Sequence, residues 1–351
     1  MEIAKVTERL QSEPRTWLIT GVAGFIGSNL LQALLELGQH VVGLDNYVTG
    51  HHRNLEQVRS EIEARQWERF RMIEGDICNL ENCQIACNNV DYILHQAALG
   101  SVPRSIHNPL DSHASNVTGF LNLLVSARDN HVKRVVFASS SSVYGDDPDL
   151  PKVEQKIGRP LSPYAATKLA NEVYAAAFSQ CYGLELVGLR YFNVFGRRQD
   201  PNGPYAAVIP KWISAMIANE PVYINGDGET SRDFCYIANV IQANLLAATT
   251  QNTEALNQVY NVAAGDRTSL NQLFGILRQY FGEHSGRFKV SEPVYCDFRS
   301  GDVRHSLATI GKAGRLLGYS PSHSVSEGLK ETFEWYIGTL GEKLSLSEGR
   351  T

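Results

Sequence analysis

Apolar positions in this chain follow two rhythms. Short solid runs end on glycine, aspartate or serine, and between them apolar residues recur with a helical period. The run Trp17-Leu18-Ile19 closes on Thr20-Gly21, and Leu30, Leu31, Leu34 and Leu35 then mark one helix face. This predicts a strand, a tight turn and a helix that ends near Gly38. Val41-Val42-Gly43-Leu44-Asp45 predicts a second buried strand, 70–77 a third with its exit, 90–98 a fourth and 132–138 a fifth. A polar loop and a charged helix fill 46–69, and a helix over 116–127 precedes the fifth strand. Strands apolar on both faces, alternating with helical periods, predict βαβ units: an α/β fold built on a doubly wound parallel sheet with helices on both faces. Residues 1–15 read as a polar helical extension ending at Pro14, with no chemistry of their own.

With 351 residues the chain can bury a sizeable core in one large or two modest domains. Its 43% hydrophobic and 20% charged residues are those of a soluble globular protein, and a net charge of -5 without a basic block gives no footprint for nucleic acid or a membrane surface. Residues 17–35 carry no charge, but three glycines, Ser28, Asn29 and Gln32 argue against a spanning helix. The start has no signal-peptide pattern. Six cysteines without a CxxC pair, and no Cys/His cluster, predict no metal site and reduced thiols in a cytoplasm.

The chemistry gathers at the ends of the predicted strands. Gly21, Gly24 and Gly27 remove side chains where the backbone passes close to something, and the helix beginning there aims N–H groups and the positive end of its dipole at the turn. A pyrophosphate fits that place, and so does a turn packed tight by glycines. Asp45 closes the second strand 18 residues after Gly27, where an acid accepts adenosine ribose hydroxyls and repels a 2′-phosphate; the alternative is a turn acid. His95, at a strand end, reads equally as a core histidine and receives no catalytic role. Ser139 to Ser142 follow the fifth strand, and Tyr164 and Lys168 lie four apart after Pro163, on one face of a starting helix. A free tyrosine is a poor base at neutral pH, but a nearby ammonium and a positive nicotinamide stabilise its phenolate, which then takes a proton from a sugar hydroxyl.

These motifs in this order resemble the extended short-chain dehydrogenase/reductases, with a Rossmann-type fold, and among them the nucleotide-sugar 4-epimerases. The likeness runs over roughly 16–338 through Thr20 to Gly27, Asp45-Asn46, Gly75-Asp76-Ile77, His95 to Ala98, the serine run with Val143-Tyr144-Gly145, Ser162 to Lys168, Arg190 to Gly196 and Arg232-Asp233-Phe234. The resemblance implies bound NAD, with Gly21, Gly24, Phe25, Ile26 and Gly27 at the pyrophosphate, Asp45 and Asn46 at the ribose, and Asp76 and Ile77 at the adenine. It implies Gln96, Ala97 and Ala98 beside the cofactor and Lys168 at the nicotinamide ribose. Ser140, Tyr164 and Lys168 become the catalytic set. Ser141, Ser142, Gly100, Ser101, Gln199 and Ser306 fall near the sugar; Asn193, Arg232, Arg299 and Asp302 near the diphosphate and its surroundings; Tyr223 and Asn225 by the uracil.

Gly100 stands where hexose 4-epimerases of the galactose type carry a lysine, and Ser306 is small at a position that gates substituent size. The runs Ala97 to Ser105 and Arg197 to Gly203 both resemble the subgroup preferring UDP-N-acetylhexosamines, and the implied reaction is C4 inversion through a transient 4-keto sugar. UDP-glucose/galactose or a UDP-hexuronate is the alternative substrate, and a non-catalytic NAD-sensing binder the alternative of another class. A 4,6-dehydratase would place Asp-Glu where Ser141 and Ser142 stand. The resemblance further implies a smaller mixed α/β C-terminal substrate lobe (196–237 with 265–340) interleaved with the NAD lobe (16–195 with 238–264). Tyr205 to Asn219 and Asn225 to Cys235 belong to the smaller lobe, the 238–249 helix and 259–262 strand to the larger, and 341–351 form a polar tail. A homodimer through the helices around 112–128 and 164–182 is expected.

Overall fold

Seven strands form one parallel sheet: β1 (Thr16–Thr20), β2 (His40–Asp45), β3 (Phe70–Glu74), β4 (Tyr92–His95), β5 (Arg134–Ser140), β6 (Glu185–Tyr191) and β7 (Gln258–Val262), in the order β7-β6-β5-β4-β1-β2-β3. The computed structural model describes residues 2–203, 206–284, 288, 290–298 and 303–348. The strand order reverses at β1, which lies between β2 and β4, as a Rossmann-type doubly wound sheet requires. Successive residues of β1 serve opposite faces: Trp17 and Ile19 join one core cluster, Leu18 the other. Burying each such side chain is worth about 1.5–3 kcal/mol, which holds helices on both faces. The Phe25–Glu36 helix covers one face with Leu30, Leu31, Leu34 and Leu35, all fully buried, and the Gly119–Asp129 helix covers the other with Phe120, Leu123 and Leu124.

Register brings the strand ends together. Thr20 pairs with Leu44 on one side and His95 on the other, so Gly21, Asp45 and Gln96 come next along one edge of the sheet. The fifth strand runs further than the apolar run predicts and includes Ser139 and Ser140, because both are carried on the ladder with β6 (Ser139 opposite Arg190, Ser140 opposite Tyr191). The helix expected from Asn116 begins earlier: an α-helical turn, Pro109–His113, runs without a break through a π turn, Ala114–Thr118, into the α-helix at Gly119. Asn116 lies within that π turn. It accepts the Leu99 N–H at 2.7 Å and donates to the Leu99 carbonyl and to Thr167 Oγ1, both at 3.1 Å. Its side chain thus pins a loop of the sheet edge to the Pro163–Tyr182 helix.

The N-terminal extension is a helix, Glu2–Ser12, with a structural task that its sequence does not disclose. Val6 and Leu10, one turn apart, are buried, and Arg9 donates to the Thr249 carbonyl at 2.6 Å, at the C-terminal end of the Ile237–Thr249 helix. Beyond the sheet, pairing is short. Val194–Phe195 pairs with Cys235–Tyr236, Ser231–Arg232 with Thr268–Ser269, and Tyr223–Asn225 with Val294–Cys296. The last helix, Val325–Glu348, extends through most of the stretch read as a tail. Among the described residues no helix is long and apolar enough to cross a membrane, and no group of His, Cys, Asp and Glu forms a metal cluster. All six cysteines are free thiols.

Candidate active site

The turn after β1 is closed by contact. Gly21 has φ +70°, and a Cβ there would lie 2.7 Å from the Ala97 nitrogen; a Cβ on Gly27 would lie 2.1 Å from the Gly21 oxygen. Glycine at both positions lets the first helical turn fold against the β1 exit. Gly24 is the N-cap of the Phe25–Glu36 helix and supplies no side-chain acceptor. The first N–H groups of that helix therefore have no capping partner, and Gly24, Phe25, Ile26 and Gly27 line a cavity of about 860 Å³. Asp45, Asn46, Asp76 and Ile77 line a second wall, and Gln96, Ala97, Ala98, Gly100, Ser101 and Gln199 a third. Such a volume is in the range of a cofactor-sized ligand site.

Asp45 stands at the end of β2 with Oδ2 accepting the Ala23 N–H at 2.9 Å and Oδ1 the Tyr47 N–H at 2.8 Å. Burial raises its pKa, opposed by the N–H groups of Tyr47, Ala23 and Asn46. The carboxylate keeps acceptor capacity for a hydroxyl. At Asp76 burial also acts upward, but the Cys78 N–H (2.7 Å) and the Asn46 amide (2.8 Å) outweigh it and hold the carboxyl below its ordinary value. Asn46 and Asp76 thus fix each other at the cavity edge. Gln96 is held by Tyr191 (3.2 Å) and Asn244 (3.3 Å). His95 lies beneath this layer, bonded through Nδ1 to Thr20 Oγ1 at 2.7 Å. Burial and the nearby Lys168 lower its pKa to about 3, so its ring is neutral at physiological pH.

The Pro163–Tyr182 helix is started by Ser162, which accepts the Ala165 N–H at 3.1 Å. Burial raises the pKa of the Tyr164 phenol, and the Ser140 side chain acts against that rise. Lys168 is buried, donates to the Ala138 carbonyl at 2.8 Å and lies 5.9 Å from the Tyr164 ring centroid. Burial lowers its pKa to about 8. Glu172, one turn on, accepts from Ser139 Oγ at 2.5 Å and from Arg190 at 2.9 and 2.7 Å, which locks the helix to β5 and β6. Ser141 and Ser142 continue in a short 3-10 turn, and Ser140 Oγ also accepts the Ser142 N–H at 3.1 Å. None of Ser140, Ser141, Ser142, Tyr164 and Lys168 lines the cavity itself. The Asn116 link from Leu99 to Thr167 joins them to its Leu99–Ser101 wall.

The remaining candidates sit on irregular backbone. Asn193 has φ +33° and donates to the Asp233 carbonyl at 3.0 Å. Arg232 donates to the carbonyls of Ser231 (3.1 Å) and Arg304 (3.3 Å), and Ser306 donates its N–H to the Ser231 carbonyl at 3.1 Å. The Ser231–Asp233 segment thus gathers Asn193, Arg232 and Ser306. Tyr223 and Asn225 are exposed along their short strand. Tyr205, Arg299 and Asp302 lie outside the described residues. Sequence reasoning missed His51, Arg104, Ser115 and Asp200, which also line the cavity. Asp200 meets His51 at 2.9 Å and Arg53 at 3.2 Å across 149 residues of chain, a pairing no local spacing reveals.

A doubly wound parallel sheet, an uncapped glycine-led helix and an acid closing the second strand define a Rossmann-type dinucleotide-binding protein. Residues 17–263 match the NAD dependent epimerase/dehydratase family, and the chain belongs to that family. A putative UDP-glucose 4-epimerase of Methanocaldococcus jannaschii is 35% identical over 91% of this chain and 97% of its own. The structure of a UDP-N-acetylglucosamine 4-epimerase from Methanobrevibacter ruminantium, in complex with UDP-N-acetylmuramic acid, is similar at TM-score 0.84 and 38% identity, covering 93% of this chain and 99% of that one. A Bacillus cereus UDP-glucuronic acid 4-epimerase, in complex with UDP-glucuronic acid and NAD, superposes at TM-score 0.81 and 30% identity over 93% and 99% of the two chains. The cofactor is NAD, and the uncapped helix start and the Asp45 carboxylate at the end of β2 fit its pyrophosphate and ribose.

Proposed function

We propose that this protein is a UDP-sugar 4-epimerase that interconverts UDP-N-acetylglucosamine and UDP-N-acetylgalactosamine. The observation that carries the reaction is Tyr164 with the buried Lys168 ammonium 5.9 Å from its ring centre, on a helix anchored to the carboxyl end of β5 through the Ala138 carbonyl, where Ser140 also lies. NAD would be held by Gly21, Gly24, Phe25, Ile26, Gly27, Asp45, Asn46, Asp76, Ile77, Gln96, Ala97, Ala98 and Lys168. When bound it supplies reversible hydride exchange at the sugar carbon. Tyr164 takes the proton of the C4 hydroxyl and later returns it, so no proton is gained or lost over a turnover. Ser140 donates to the phenolate oxygen and the Lys168 ammonium stabilises its charge. Asn193, Arg232 and Arg299 hold the diphosphate, and Tyr223 and Asn225 the uracil, while the sugar is left free to turn.

The acetamido sugar is favoured by space. A Cβ on Gly100 would meet nothing within 4 Å, and Ser306 is small at the gate. Relatives named for UDP-glucose and UDP-glucuronate support those sugars as the alternative. The same reading divides the chain into an NAD lobe (16–195 with 238–264) and a substrate lobe, and pairs two copies through the 112–128 and 164–182 helices. Exposed Val173 and Tyr174 on the latter support that contact. Free thiols agree with a cytoplasmic setting. The test is incubation of the purified protein with UDP-N-acetylgalactosamine, UDP-galactose and UDP-N-acetylgalactosaminuronate in turn, with C4 inversion followed by NMR. Inversion of the first is expected; its absence overturns the substrate assignment, and absence of all three overturns the reaction.

A further inference from the structure

Asp233 is fully buried where the sheet meets the segment that carries Ser306. Its Oδ1 accepts the N–H groups of Ala264 at 2.9 Å and Gly265 at 3.3 Å, just beyond the end of β7. Its Oδ2 accepts Gly265 at 3.2 Å and Ala308, two residues after Ser306, also at 3.2 Å. One oxygen therefore serves the sheet exit, and the other also reaches the Ser306 segment. That segment is held at further points. Ser231 donates its N–H to Arg304 at 3.0 Å and accepts that of Ser306 at 3.1 Å, while Lys152 donates to Leu307 at 2.7 Å and accepts from Thr309 at 3.0 Å. Asp233 lies next to Arg232, and its own carbonyl accepts Asn193.

We propose that Asp233 is a positioning residue for substrate choice: by bridging the β7 exit and Ala308, it sets how far Ser306 stands from the sheet and so how much room the sugar substituent has. This rests on the reading of Ser306 as facing the sugar of a UDP-sugar. A buried carboxylate is disfavoured by lost hydration, and burial does raise its pKa, to about 7, against the pull of the N–H groups of Ala308, Ala264 and Gly265. Two acceptor oxygens are what the site uses. An asparagine there offers one oxygen and one NH2 group. If the oxygen stays with Ala264 and Gly265, the NH2 opposes the Ala308 N–H, donor against donor. The Ser306 segment is then released on its sheet side while Ser231 and Lys152 still hold it.

The experiment is Asp233→Asn in the NAD-loaded protein, with steady-state rates for UDP-N-acetylglucosamine and UDP-glucose and amide hydrogen exchange over 304–309. The expected result is a KM change of about tenfold for the acetamido sugar and a comparable shift in the ratio of kcat/KM for the two sugars, the scale on which a pocket discriminates substituents of slightly different size. kcat and NAD content stay near wild type, and exchange at 304–309 speeds up while β1 to β6 remain protected. An unchanged ratio with unchanged exchange overturns the proposal, as does an equal fall in kcat for both sugars. A wild-type protein inactive on both sugars sinks the functional reading instead; exchange at 304–309 then decides the bridge, and an unchanged pattern overturns it. Should the Asn variant not fold, Asp233→Glu keeps two acceptor oxygens at shifted positions and is expected to move the same ratio less. An unmoved ratio there overturns the proposal too.

Discussion

Around the NAD cavity, neighbouring strands of a seven-stranded sheet end in register, and backbone groups, glycines and one buried carboxylate make the walls. Around Ser306 the backbone runs in strands of two or three residues, joined by a few hydrogen bonds from Ser231, Asp233 and Lys152. The first region is supported by two core clusters; much of the second is exposed, with Tyr223, Val294 and Tyr295 open to solvent. Local opening is cheapest where buried contacts are few. On the proposed function, a site made this way would grip its cofactor from a rigid frame and hold its sugar from an adjustable one. That asymmetry suits a reaction in which the cofactor stays and the sugar turns.

The comparison breaks most completely at Gly27. In Gly27→Ala the added Cβ meets the Gly21 oxygen at 2.1 Å, so the turn must open. Overpacking of this kind costs about 1–3 kcal/mol or more, and co-purified NAD should be lost, as read by absorbance ratio and calorimetry. Full NAD content in a stable variant would contradict the rigid-frame account. Next comes Tyr164→Phe, which leaves the frame untouched and removes the proposed proton acceptor. Turnover should fall about 10²- to 10⁴-fold with NAD content unchanged. Ser306→Tyr probes the adjustable side. It should cut kcat/KM for the acetamido sugar by about 10- to 200-fold relative to the plain hexose, read by parallel assays of the two.

The smallest effect is in pH. Burial holds Lys168 at about 8, below the ordinary 10.5 of a lysine. Between those values the unfolded chain carries a proton the folded one lacks, so this group makes the unfolding free energy rise with pH across that window. Turnover runs the other way, since the ammonium is present only below about 8. The rate should fall by about tenfold per pH unit beyond that point while thermal stability does not fall on account of Lys168. A flat rate profile to pH 10 would remove the ammonium from the mechanism.

Much of the frame was legible because its signals are local. The run into Gly21, the leucines from 30 to 35 and the acid at 45 each state a strand, a helix face or a strand end within a few residues. Neither the π turn nor the bonds that Asn116 makes from it to Leu99 and Thr167 were legible, since those partners lie 17 and 51 residues away. Nor was the task of the N-terminal helix, because Val6, Leu10 and Arg9 find their meaning against Ile237–Thr249. Asp233 could be read as part of Arg232-Asp233-Phe234, yet nothing near it in sequence tells that its carboxylate spans to Ala264 and Ala308.

The amino-acid order alone determined a doubly wound α/β sheet, a glycine turn fit for a pyrophosphate and a tyrosine–lysine pair on one helix face, because hydrophobic period, glycine sterics and helical spacing act over short range. Tertiary structure decided the rest. It set Ser140 against Tyr164, drew Lys168 beneath Ala138 and lowered its pKa, and suspended Ser306 between Ser231 and Asp233. Burial, dielectric surroundings and hydrogen-bond partners are properties of packed neighbours, and here those neighbours come from segments tens to more than a hundred residues apart.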